Sequence, residues 1–197
     1  MTQSNHLKKT TRDIIKASFI SMYKSTPLNQ ISVSNLSAAS NISRGTFYLH
    51  FKDVYALYKE CEQDLINQME KDVPGVILCT VASDYEKYVE AFTEVLKVII
   101  QYIDDFKLFL CGSEESSFRK AWFESIRRNY EQTVLFSRNV STAQRDNLTR
   151  FFAGGTLSIL SNWALTGCKE SAEDIASISA QILFQGAFLA KHITSGN

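Results

Sequence analysis

The sequence predicts an all-α protein of about nine helices, and three observations carry that reading. Glycine and proline together supply ten of 197 residues, about 5% where ~12% is ordinary, which argues against turn-rich sandwiches and barrels. Apolar side chains recur at i, i+3 or i+4 and i+7 along most of the chain. Residues able to cap a helix head most of these runs, and no stretch reads convincingly as a strand. With 45% hydrophobic and 12% aromatic residues, a chain of this length can bury a core without disulfide or metal staples.

Thr10, with Asp13 three residues on, opens a helix whose inner face is Ile15, Phe19 and Met22, ending near Ser25-Thr26-Pro27. Two short helices follow, Val33–Ala39 capped by Ser32 and Arg44–His50 capped by Ser43, separated by Ser40-Asn41-Ile42. On the first, Val33, Leu36 and Ala39 are expected to face inward; Ile42, Phe47 and Phe51 tie the second to the core, and Asn41 tolerates the positive φ of a tight turn. Asp53 opens a helix carrying Leu57, Cys61, Leu65 and Met69 toward Pro74-Gly75. Ser83 with Glu86 has the form of a capping box ahead of Tyr88, Phe92, Leu96, Ile99 and Ile103. A short continuation through residues 106–110 stops at Gly112. Glu114 and Glu115 then suit the positive start of a helix bearing Phe118, Trp122, Ile126, Tyr130 and Leu135. Ser141 with Gln144 is a second capping box, opening a segment through Trp163 to Gly167, and Ser171 with Asp174 starts a last helix over about 172–192.

Formal net charge is zero, but its distribution is uneven. Residues 1–60 carry six Lys and two Arg against Asp13, Asp53 and Glu60, a balance of +5, and the remainder balances this with −5. The N-terminal third is therefore built to meet a polyanion. Cys61, Cys79, Cys111 and Cys168 are widely spaced, without metal-ligand spacing, and read as structural thiols in a reducing compartment. The N-terminal stretch lacks a signal-peptide core and no apolar run reaches membrane length, so a cytoplasmic protein with no membrane partner is expected.

Two seven-residue helices joined by a three-residue turn persist only when packed steeply against a third, which is a helix-turn-helix. Arg44, Gly45 and Tyr48 fall within about 100° of one another on the second helix at ~3.6 residues per turn. Arg44 can offer its planar fork to guanine in a major groove. Gly45 lets the backbone approach the groove floor, Thr46 can give a hydroxyl to phosphate or a methyl to thymine, and the Tyr48 phenol can reach backbone phosphate. Ser32 and Ser43 head helices whose free amides suit phosphate oxygens, while His50 and Lys52 extend the basic rim.

The run from Ser32 to Asp53, preceded by Ile14-Ile-Lys-Ala-Ser-Phe19, resembles the DNA-binding domain of the TetR family of bacterial transcriptional regulators over about residues 8–58. Ser43-Arg-Gly-Thr-Phe-Tyr48 and His50-Phe-Lys-Asp53 fall in register with the family pattern. Asn41 departs from it where glycine is frequent, and Leu49 where a polar residue often sits. The resemblance implies a helix-turn-helix domain over 1–58 and a helical ligand-binding and dimerisation domain over 59–197. It implies contacts to double-stranded DNA from Ser32, Ser43, Arg44, Gly45, Thr46, Tyr48, His50 and Lys52. It further implies a homodimer on a palindromic operator, with repression as the default. Residues 151–171 are more weakly similar to the branch that includes regulators of dihydroxyacetone kinase operons.

The last helix is apolar on more than one side and must be covered on two faces. With Gly154-Gly155 on the preceding segment, the resemblance implies a four-helix dimer interface here, on Gly155, Leu160, Trp163, Ile178, Ile182, Phe184 and Phe188, the alternative being burial of both helices within one subunit. The aromatic residues Tyr88, Phe92, Tyr102, Phe106, Phe118, Trp122 and Tyr130 are candidates to line a pocket for a small-molecule effector. No enzyme is expected: His6, His50 and His192 form no visible acid–base site, no phosphate-binding or nucleophile motif is present, and neither metal nor cofactor is called for. The alternatives are an activator, or a regulator whose C-terminal domain binds a partner protein in place of a small ligand.

Overall fold

The computed structural model describes residues 10–72, 84–111, 115–131 and 141–194, leaving the side chains of 115–116 and 186–194 aside. Cys79, His6, Pro74-Gly75, Ser83, Gly112, Glu114 and Leu135, and the side chains of Phe188 and His192, lie outside the described residues. Among those described there are nine α-helices and no strand: α1 (Thr11–Tyr23), α2 (Val33–Ala39), α3 (Arg44–His50), α4 (Val54–Asp72), α5 (Tyr85–Gln101), α6 (Ile103–Leu110), α7 (Glu115–Glu131), α8 (Thr142–Leu165) and α9 (Ala172–Thr194), with a 3-10 turn at Leu28–Gln30.

Local chemistry sets most helix starts. Thr10 and Asp13 form a reciprocal capping box on α1, and Ser141 and Gln144 form another on α8. Ser32 caps α2 by accepting from the Asn35 amide at 3.1 Å, and Asp53 accepts from the Ala56 amide at 2.7 Å to open α4. At the head of α5 the cap is Asp84, which accepts from the Lys87 amide at 3.2 Å, one residue beyond the serine expected from sequence.

The chain divides into two compact units, residues 1–64 with 111–113 and residues 65–110 with 114–197. The first holds α1 to α3 and the opening turns of α4. Its core is Ile15 and Phe19 of α1, Leu36, Phe47, Phe51, and Leu57 and Tyr58 of α4, all essentially buried. The rings of Phe19, Tyr23 and Tyr58 meet at 5.4–6.2 Å. Two positions differ from expectation. Tyr23, not Met22, completes the buried stripe of α1, because it stacks on Phe19. On α2, Ala39 is exposed and Val33 half-buried, while Ser37 and Ser40 join Leu36 inside. Beyond residue 58, Glu60 and Asp64 of α4 are tied to α1 by ion pairs from Arg12 and Lys16.

In the second unit α7 packs along α8, and α5 along α9. Helix α8 closes through Gly167 at φ +92° and Cys168 at φ +51°, and the Trp163 indole N–H donates to the Glu170 carbonyl across that turn at 3.0 Å.

Candidate nucleic-acid interface

Helix α3 is held from behind and left open in front. Phe47 is fully buried and Phe51 nearly so, 5.8 Å apart between ring centroids. The preceding turn is set by Asn41 at φ +53°, a backbone region where asparagine carries less strain than most residues. The Ser43 hydroxyl accepts from the Thr46 amide at 3.0 Å and meets the Thr46 hydroxyl at 2.8 Å, so both side chains are oriented before any ligand arrives. At the other end the Arg12 guanidinium donates to the His50 carbonyl at 3.0 Å, one of the acceptors a helix C-terminus leaves unpaired. The same guanidinium is bidentate to Glu60 and lies 4.4 Å from the centre of the Phe51 ring. The Arg12 hydrogen bonds, reinforced by Lys16, lower the Glu60 carboxyl to about 2.

On the open side stand Arg44, Gly45, Tyr48 and Leu49, all exposed, with Lys52 just beyond. Arg44 makes no ion pair among the described residues. Thr46 and His50 are half-exposed at the edge, and Ser32 and Ser43 are exposed at the heads of their helices. Gly45 has no structural requirement for being glycine: a Cβ there would meet only Ser43 Oγ, at an ordinary 3.6 Å. Replacing Gly45 by Ala is therefore expected to raise stability by up to about 1 kcal/mol, measured as a higher melting temperature. Leu49, a departure from the family pattern to which sequence reasoning gave no role, is 85% exposed, the most outward large apolar side chain among the described residues of the unit.

The aromatic residues nominated for a pocket pack on one another. Phe106 meets Trp122 at 4.4 Å and Phe118 at 5.6 Å, while Tyr88 touches Phe92 and Phe184 at 5.8 and 5.9 Å. The Tyr88 and Tyr130 hydroxyls are 3.4 Å apart, and Tyr130 reaches Thr156 at 2.8 Å, a buried polar chain inside an apolar surround. Burial raises both phenols above their ordinary range, so they stay protonated near neutrality. Tyr102 stands apart from these rings, its hydroxyl donating to Asp72 at 2.5 Å.

Of the residues nominated for the dimer face, Leu160 and Trp163 are 2% and 1% exposed. They belong to the interior of the protomer, because α7 and the turn at Glu170 cover that side of α8. Gly155 is exposed, in line with Phe151, Ser158, Asn162 and Leu165 along α8. Ile178 and Ile182 are exposed on α9, and Phe184 is half-buried against Tyr85 and Tyr88.

A three-helix head whose second and third helices are joined by a tight turn, followed by a body whose described elements are all helical, is the architecture of the helix-turn-helix class of regulators. The family model for the transcriptional regulator C-terminal region of TetR proteins matches residues 86–185, and the chain belongs to the TetR family of transcriptional regulators. Two solved structures share the fold. The dihydroxyacetone kinase operon activator DhaS is 17% identical, with a TM-score of 0.59 over 91% of this chain and 97% of that one. The fatty acid degradation regulator FadR from Bacillus halodurans is 16% identical, with a TM-score of 0.55 over 89% of this chain and 95% of that one. No curated protein matches the chain. No described helix is long and apolar enough to cross a membrane.

Proposed function

We propose that this chain is a dimeric repressor that binds a palindromic operator through α3 and is released by a small molecule. The observation that carries the DNA reading is the open face of α3, where a free guanidinium and a glycine that the fold does not demand lie side by side. In the major groove Arg44 would address guanine O6 and N7, and Tyr48 and Lys52 the flanking phosphates. The head's positive balance supplies long-range attraction. For pairing, we infer a four-helix contact made by the exposed stripes of α8 and α9. Two copies related by a two-fold axis would then present their α3 helices about 34–36 Å apart. The aromatic interior around Tyr88 and Tyr130 is the proposed effector site, and an effector acts only by preferring one of two states.

The test is binding of the purified protein to duplexes from the promoter region beside its own gene, followed by fluorescence anisotropy over a range of salt. Arg44→Ala is expected to weaken specific binding by about 10- to 100-fold, and Tyr48→Phe by less, through a lost phosphate contact. Full affinity in both variants would overturn the site. Activation is the second reading, favoured by the name of DhaS, an activator that shares the fold. A transcriptional reporter with and without the gene separates the two directions.

A further inference from the structure

We propose that Leu49 is a base-reading residue, whose side chain packs on the C5-methyl group of a thymine in the major groove. This rests on the reading above that α3 enters that groove. At ~100° per residue, Leu49 lies about 160° around the helix from Phe47, the fully buried anchor, so it marks the middle of the outward face. Gly45 lies on the same line one turn earlier, and the space a Cβ would occupy there is open apart from Ser43 Oγ. The helix backbone can thus come close to a surface at the very place where the leucine projects.

The chemistry of that surface follows from what Leu49 can and cannot do. It offers no hydrogen bond, and at 85% exposure it holds an isobutyl group in water beside Gly45, with Tyr48 on one flank and the half-exposed Thr46 on the other. The major-groove edges of the bases are lined with donors and acceptors, with one large apolar exception, the methyl of thymine. Burying the two apolar groups against each other is favourable; a purine at that position would set a ring acceptor against the leucine unpaired, and cytosine would offer only a C5–H with no methyl to pack on. A protein partner would call for a cluster of aliphatic neighbours, whereas the neighbours of Leu49 along α3 are a glycine, a threonine and a phenol.

The experiment uses the full-length protein and a duplex selected from a random library. Each thymine in turn is replaced by deoxyuridine, which pairs identically and lacks only the methyl. One position per half-site is expected to weaken wild-type binding by about 3- to 10-fold. In Leu49→Ala that sensitivity is expected to vanish, with affinity for the thymine duplex falling to the wild-type value on uridine. The melting temperature should remain unchanged, because the side chain is exposed. Equal binding of every uridine duplex by the wild type, or a methyl effect that survives in Leu49→Ala, overturns the proposal. Failure to select any duplex overturns the DNA-binding reading itself.

Discussion

Replacing Ile178 and Ile182 together by glutamate is expected to separate the protomers and to lower affinity for a palindromic duplex by about 100-fold or more, while each protomer stays folded. The two side chains are 46% and 48% exposed, one turn apart on α9. Within a single protomer they contribute little to the core, and glutamate is itself a good helix former. In a paired state the same positions would bury four carboxylates against apolar surface, a cost of several kcal/mol with no partner to offset it. Operator binding falls because one head on one half-site forfeits the effective concentration that joins the second. Sedimentation velocity reads the assembly and anisotropy reads the affinity. A double variant that remains a dimer would move the interface off α9.

Arg12→Ala is expected to cost about 2 kcal/mol and to loosen α3 before the rest of the chain. One side chain makes three contacts: a two-pronged pair with Glu60, a hydrogen bond to the His50 carbonyl and a seat over Phe51. Because Arg12 is 42% exposed, the ion pair is discounted to about 1 kcal/mol or less; the carbonyl bond and the ring contact each add a similar amount. Hydrogen exchange should show α3 amides losing protection in the variant. Unchanged protection would mean that Arg12 is a surface ornament. Acid gives a second reading. The Glu60 carboxyl is lowered in the folded head to about 2, so its contribution is complete above its ordinary value near ~4.5. That contribution drains away as pH falls from there toward 2. The stability gap between wild type and Glu60→Gln should therefore be widest above about pH 5 and close by about pH 2.

What the sequence made legible was chemistry that acts within four residues. The caps at Thr10, Ser32, Ser43 and Ser141 could be read because a hydroxyl reaching an amide three positions on needs no distant partner. Asn41 could be read because positive φ is a local preference. The faces were harder. Met22 and Tyr23 differ by a rotation of ~100°, and the rings of Phe19 and of the distant Tyr58 decide between them. Leu160 and Trp163 look like interface residues in a list of apolar positions, yet they are claimed by α7 and by the turn after α8, partners that lie far off or beyond the helix end. Leu49 is the converse case, an apolar letter whose meaning depends on Phe47 having already taken the inside of the same short helix.

The open space at Gly45 carries a lesson for anyone who would engineer this chain. Directed evolution for heat tolerance alone should accumulate alanine there early, since it steadies the helix and its Cβ meets only Ser43 Oγ, at an ordinary distance. On the proposed reading of α3, the survivors of such a screen would be hardier molecules with weakened recognition, and only a selection that also demands recognition would keep the vacancy.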